Sequence, residues 1–405
     1  TSYVEALFNL ASAFFIKNDY YNSIIYYNKV VELEPDNDTA YRQMGNAFRN
    51  LSVEEYAPAL EEICQKLLDK KNFFGPIDMV YPVIKIMKSN PNFKNLLTMS
   101  YKIGQEVMVQ DFFKELVKFP LLEQIITICP VPDRDISVLL ENTREALIMN
   151  LTKLEFDAKL LQFYSALSIQ CFINEYIFDR SERAGNQIVE LETRIDENLK
   201  EGKQPLEQEI FALASFKPLH TYSWIAEIPA HESLNEILNL QVISFYQQKR
   251  IRESIPKLQK ISNQVSLAVQ SQYEENPYPR WIYTQLKDEP ISLGAFIQLT
   301  NLRTFEHETL NCKSPNILIA GCGTGQHAIQ VASLFRNSCI LAVDISTNSL
   351  AYAKSKAAEL GIESIEFMQA DILSLSELGQ RFDIIECSGV LHHMESPMAG
   401  WERLK

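Results

Sequence analysis

A short apolar run, Ile317 to Ala320, leads straight into Gly321-Cys322-Gly323-Thr324-Gly325 and then into a segment patterned as an amphipathic helix. A strand, a G-x-G-x-G turn and a helix in immediate succession leave few options for the chain. Glycine accepts positive φ and carries no Cβ. The pattern therefore predicts a tight turn at Gly321 and close approach of the backbone to a ligand at Gly323 and Gly325. The unpaired N–H groups of the first helical turn face the same ligand, an arrangement suited to a nucleoside cofactor.

The glycine spacing separates two kinds of cofactor. A dinucleotide fingerprint, G-x-G-x-x-G, needs its third glycine at position 326, which is Gln326, whereas the third glycine here is Gly325. Hydride transfer is disfavoured accordingly. A second apolar strand, Cys339 to Val343, ends at Asp344. That acid lies about 20 residues past the glycine turn, where a carboxylate reaches ribose hydroxyls. Ser346 or Thr347 is placed to cap the next helix, whose apolar stripe runs through Leu350, Ala353, Ala357 and Leu360 to a stop at Gly361. Strands over Ile365–Met368 and Phe382–Glu386 then run into Gln369-Ala370-Asp371 and into the loop from Cys387 to Met394, so that four strand ends share one crevice. The plainer uses of these residues stand beside the functional ones. Asp344 and Asp371 suit helix caps, Cys322 suits a small filler between glycines, and the pair His392-His393 suits loop capping.

In this order and at these spacings, residues 311–405 resemble the class I methyltransferases that use S-adenosylmethionine. The resemblance implies a Rossmann-like α/β domain in which Gly321, Gly323 and Gly325 line the methionine end of S-adenosyl-L-methionine. It further implies that Asp344 binds the ribose, that Asp371 with Ile372 flanks the adenine, and that Ile345 and Cys387 join the cofactor-binding set. The segment Glu386 to His393 would face the reactive methyl, with Glu386, Ser388 and His392 as candidates for catalysis. Members of the family carry further strands after the fourth. With Thr1 in place of an initiator Met and the chain ending at Lys405, the expectation is an internal fragment whose domain is incomplete at the C-terminus. Its fourth strand would be left as an open apolar edge, prone to aggregation or low activity.

A different period marks the N-terminus. Leu7, Leu10, Ala11, Phe14, Ser23, Tyr27, Val30 and Pro35 occupy the packing positions of a helix-turn-helix unit that resembles a tetratricopeptide repeat, about 34 residues long. A second, weaker copy starts near Asp38 with Tyr41, Met44, Gly45, Phe48 and Ala57, and Pro58 departs from the pattern. Fewer than three repeats rarely bury enough to stand alone, so the array is expected to have lost units upstream or to pack on a neighbour. The concave face of such an array would bind a protein partner or a peptide substrate.

Between these ends the chain reads as helix after helix. Leu160, Phe163, Tyr164, Leu167 and Cys171 recur at helical spacing, Val189, Leu191 and Ile195 less cleanly, and residues 200–205 form a break. The expected organisation is repeat-like helices over 1–70, a helical middle region over 71–270, a linker or cap over 271–310, and a partial methyltransferase domain over 311–405. The phrases Gln170-Cys171-Phe172-Ile173-Asn174-Glu175-Tyr176 and Tyr273-Glu274-Glu275-Asn276-Pro277-Tyr278-Pro279-Arg280-Trp281 resemble bacterial proteins that couple these three parts. More distantly, the layout is similar to bacterial lysine methyltransferases that modify outer-membrane proteins. The prolines at 277 and 279 exclude mid-helix geometry and make a stiff boundary. Either that boundary is a linker, or Tyr278, Arg280 and Trp281 fold over the crevice as a lid that excludes water and offers cation–π contact to a sulfonium.

Composition narrows the rest. A net charge of −14 disfavours nucleic acid as a partner. Seven cysteines without C-x-x-C spacing and six histidines indicate neither a zinc site nor a disulfide framework, and a reduced, cytoplasmic setting is expected. No apolar window reaches about 18 residues and the first residues lack a basic stretch, so neither a membrane span nor a secretory signal is expected.

Three functions fit. One is methyl transfer to a protein side chain recruited by the repeats. Another is methyl transfer to a small metabolite or a glycan, with the repeats serving assembly. The third is a repeat-based interaction protein whose cofactor-binding domain is not catalytic.

Overall fold

The computed structural model describes residues 2–405 except 54, 71, 72, 230, 276, 288 and 301–310. The chain forms two compact units, Thr1–Val242 and Ile243–Lys405.

The first unit is helical. Helices α1 (Ser2–Ile16) and α2 (Tyr20–Leu33) form a hairpin. Asn18 turns the chain with a φ of 61°, and Asp19 caps α2 by accepting the Asn22 N–H at 3.2 Å. Leu7, Ala11, Ser23, Tyr27 and Val30 are buried between the two, whereas Leu10 is 40% exposed and lies outside the packing face. The Tyr27 ring meets Phe8 edge-on at 5.3 Å, and its hydroxyl shares a 2.9 Å hydrogen bond with Ser12. Helix α3 (Asp38–Asn50), capped by Asn37, buries Tyr41, Met44, Gly45 and Phe48. Pro58 opens the next helix, Pro58–Leu68, at a position where its missing N–H costs nothing. The residue that departs from the repeat pattern therefore starts a helix.

Further along, helix Ala158–Ile173 buries all of Leu160, Phe163, Tyr164, Leu167 and Cys171. In helix Glu182–Lys200, Ile188 joins Leu191 and Ile195 in the core, while Val189 is 59% exposed. The break then falls where expected, with Gly202 at positive φ before helix Glu207–Ala214. Arg144, only 2% exposed, donates to the carbonyls of Phe178 (3.1 Å), Asp179 and Ser215 (3.4 Å) and lies 4.5 Å from the Phe216 ring centre. One buried guanidinium thus ties separate segments of this unit together.

The second unit contains α4 (Ser244–Glu253), α5 (Gln264–Glu275), β1 (Asn316–Ala320), α6 (Gln326–Leu334), β2 (Cys339–Asp344), α7 (Thr347–Glu359), β3 (Ile365–Gln369) and β4 (Ile384–Glu386). The strands form a parallel sheet in the order β3-β2-β1-β4. Parallel strands are covered on both faces and so read as continuous apolar runs. Ile317, Ile319, Ile340 and Ala342 pack in one core with Leu350 and Ala353, and Leu318, Ala320, Leu341 and Val343 pack in another with Ile372 and Leu375. Ser346 is the cap of α7, accepting the Ser349 N–H at 3.1 Å, and Gly361 lies just past the end of that helix at positive φ.

Two features differ from expectation. Strand β4 is shorter, with Phe382 and Asp383 outside it, and its Ile385 is 40% exposed. The expected boundary at 270 falls inside α5, and α4 and α5 both pack on α7. On the outer side of β3, Gln369 donates to Pro256 O (2.8 Å) and accepts from Leu258 N (2.9 Å), which covers that strand's edge. Asn276, Asp288 and residues 301–310 of the expected linker lie outside the described residues. Among the described residues, no helix is long and apolar enough to cross a membrane.

Candidate active site: a crevice at the carboxyl ends of the strands

The turn after β1 is fastened to β2. Gly321 N and Cys322 N both donate to Val343 O, at 2.8 and 2.9 Å. Asp344 accepts from Gly323 N (2.8 Å) through one oxygen and from Ser346 N (2.9 Å) through the other. Gly321, at a φ of 77°, leaves room for Val390, whose Cγ2 would lie 2.3 Å from a Cβ placed there. Gly323, where a Cβ would lie 3.7 Å from Tyr278 O, lines the crevice, as Gly321 does. Gly325 does not line it. A Cβ at this position would lie 2.4 Å from the Cβ of Ala353, so this glycine permits close packing of the turn on α7. The expected approach to a ligand at Gly325 is corrected to a helix contact.

Two adjoining chambers of about 480 and 500 Å³ open above the strand ends, both bordered by Val269, Gly321, Asp344, Ile345, Val390 and His393. The first extends toward Ala370, Asp371 and Ile372. Asp371 caps the short helix Ile372–Leu378 through a 3.0 Å bond from Leu373 N while also lining this chamber. The second extends toward Thr324, His327, Tyr278, Ser388 and Gly389. Helix α5 borders both chambers, with Val265, Ser266 and Val269 beside the first and Val269 and Tyr273 beside the second. Its far end is clamped by Glu274, which accepts from Thr347 N (2.6 Å), Thr347 Oγ1 (2.8 Å) and Asn348 N (3.0 Å) at the start of α7. A carboxylate at a helix N-terminus satisfies orphan donors and suits the helix dipole.

Burial raises the Asp344 carboxyl above its ordinary range and the nearby Glu274 charge adds to this, while hydrogen bonds from Ser346 and Gly323 act the other way. His327, which lines the second chamber, is hydrogen-bonded through Nε2 to Oε2 of Glu386, an expected site residue that itself lines neither chamber. That bond raises the imidazole pKa, against the effect of burial. Sequence reasoning singled out Glu386 and missed His327, although a histidine in the first turn after the glycines was the available signal.

Several expected site residues sit elsewhere. Trp281 is 6% exposed and belongs to the core. Its Nε1 donates to Thr324 O at 3.0 Å, its carbonyl accepts from Tyr352, and its ring meets Tyr352 edge-on at 6.1 Å. It anchors the segment to the glycine turn and is no lid. Arg280 is partly buried and lines neither chamber, whereas Tyr278 is 62% exposed and borders the second. Cys387 packs against the Leu318 and Val343 cluster and does not line the crevice. Both histidines are exposed, with ring centres 4.0 Å apart; His393 lines the crevice and His392 does not.

Comparison with known proteins agrees with this geometry. Residues 317–403 match the methyltransferase domain family, and residues 4–37 match the tetratricopeptide repeat. The chain thus carries a class I methyltransferase domain behind an N-terminal tetratricopeptide repeat. An uncharacterized Synechococcus protein is 41% identical over 87 residues, 21% of each chain. The release factor glutamine methyltransferase of Flavobacterium psychrophilum is 40% identical over 73 residues, 18% of this chain and 25% of its own. Galactitol 1-phosphate 5-dehydrogenase of Escherichia coli is 38% identical over 112 residues, 27% of this chain and 32% of its own. The glycine spacing here nevertheless lacks the dinucleotide form, since position 326 is Gln326. The chain spans only 21% to 32% of the length of these relatives.

Proposed function

We propose that this chain belongs to an S-adenosylmethionine-dependent methyltransferase whose acceptor is a protein side chain recruited through the tetratricopeptide repeat. Asp344 carries the reading. It borders both chambers, and its oxygens accept from Gly323 N and Ser346 N, with the Ile345 backbone also acting on the carboxylate. An ionised carboxylate has about four lone-pair sites, so acceptor capacity remains for a ribose hydroxyl. Asp371 and Ile372 would flank the adenine beyond it, beside Ile345, and the backbone turn at Gly321 and Gly323 would take the methionine end. The cofactor supplies an activated methyl on a sulfonium.

The protein's share is alignment and dryness. Helix α5, clamped by Glu274, covers one side of the crevice, and the loop of Ser388, Gly389 and Val390 forms the wall beside the second chamber. Ser388, which lines the second chamber, is the candidate for contact with an incoming nucleophile, and Glu386 would act through His327, to which it is bonded. The repeat favours a protein acceptor because stacked helical hairpins present a surface for other chains.

Labelled methyl transfer from S-adenosylmethionine into a cell lysate, with the full-length protein as catalyst, tests this. Label in the protein fraction, abolished by Asp344→Ala, is the expected result. Label confined to metabolites, glycans or nucleic acid would remove the protein acceptor, and no label in any fraction would count against catalysis.

A further inference from the structure

The helical unit holds a cavity of its own, of about 620 Å³, a size typical of small-molecule sites. Helix Ala158–Ile173 forms one wall, with Leu161, Ser165 and Ile169 spaced four apart on one face. Phe211, from helix Glu207–Ala214, adds to this apolar surface. Around it stand five carboxylates, those of Asp69, Glu123, Glu207, Glu232 and Glu236, and among the described residues no lysine or arginine lines the cavity. Burial raises the Glu123 carboxyl above its ordinary range, against the effect of its hydrogen bond from Gln162. The wall also carries an orphan acceptor. Gln124 donates through Nε2 to Asp69 Oδ1 (2.8 Å) and Gln65 O (3.4 Å), while its Oε1 is buried and without a partner. A buried acceptor of this kind calls for a donor.

We propose that this cavity binds an aliphatic polyamine. The spacing of the acids selects that class of cation over a point charge. Among the described residues no three acidic, histidine or cysteine side chains converge closely enough to hold a metal ion. Glu123 lies on helix Pro120–Ile128, Glu207 on the helix it opens, and Glu236 on the short helix Asn235–Leu238. Charges set apart on separate elements, with apolar surface between them, complement a chain in which ammonium groups alternate with methylenes. The methylenes lie along Leu161 and Phe211, and the ammonium groups donate to the carboxylates.

The probe is spermidine. Calorimetric titration of the full-length protein is expected to show saturable binding at one site. Affinity should fall about tenfold in Glu123→Gln and in Glu236→Gln, as for the loss of one charge-assisted hydrogen bond. Ser165→Leu, which fills the cavity and leaves every charge in place, should abolish binding. The double variant Glu190→Gln/Glu197→Gln removes two exposed charges from helix Glu182–Lys200 and should bind as the unaltered protein does. Equal weakening in that double variant, or displacement of spermidine by an equal concentration of Mg²⁺, would mark diffuse attraction to a chain of net charge −14 and overturn the proposal. Undiminished affinity in Ser165→Leu, or no saturable binding to the unaltered protein, overturns it as well.

Discussion

Asp344 and Gly323 are joined by a 2.8 Å hydrogen bond from the backbone N–H to the carboxylate, which couples the end of β2 to the turn that follows β1. The acid suited to a ribose therefore also closes the glycine turn. A site that shares a residue with its own scaffold ties ligand affinity to local stability.

Replacing Asp344 tests that coupling without any ligand. Asp344→Ala strands two backbone donors, Gly323 N and Ser346 N, each with a penalty of about 1–3 kcal/mol if it stays dry. Asp344→Asn keeps one carbonyl oxygen as acceptor and is expected to lose less. Urea unfolding of the two variants should rank them in that order.

The glycines of the turn divide into two classes. Gly325→Ala puts a methyl 2.4 Å from Ala353 Cβ at a position of positive φ, and overpacking of this kind costs about 1–3 kcal/mol. Gly323→Ala meets no side chain, its nearest neighbour being Tyr278 O at 3.7 Å. Gly323 is itself at a φ of 53°, so the substitution keeps a backbone strain of about 1–2 kcal/mol but no overpacking, and it should also lower S-adenosylhomocysteine affinity. Thermal melts with and without that ligand distinguish the two.

Trp281 and Tyr278 should separate in the same manner. Trp281→Ala empties a core position and removes the bond to Thr324 O, a loss of about 3–5 kcal/mol. Tyr278→Ala, at a 62% exposed side chain, leaves the melting temperature within a few degrees and changes ligand affinity.

His327 gives a pH signature. Its folded-state pKa lies above the ordinary imidazole value of 6.5 because of the Glu386 hydrogen bond. The stabilisation from this pair is fully present below the unfolded value and is lost as pH rises through the folded one. Titration of the His327 ring by NMR should show the elevated value, and Glu386→Gln should lower it.

Much of this site could be read from sequence because its signals are local. Apolar runs end at Gly321, Asp344 and Asp371, and each marks the carboxyl end of a strand in one sheet. Ser346 and Gly361 bracket α7 for reasons of capping alone. What escaped depends on partners distant along the chain. Gly325 is set by Ala353, Trp281 by Thr324 and Tyr352, and His327 by Glu386. Nothing near Trp281 in sequence distinguishes an anchor from a lid, and only the fold brings Thr324 to its indole. Likewise α4 and α5 read as more of the helical middle, because packing on α7 leaves no local mark.

The central claim is that the crevice above β1 and β2 holds a sulfur-bearing nucleoside through Asp344. Calorimetric titration of the full-length protein with S-adenosylhomocysteine tests it most directly. The account predicts saturable binding at micromolar concentrations that weakens at least tenfold in Asp344→Ala. Absence of binding at millimolar ligand, or equal affinity in that variant, would contradict it.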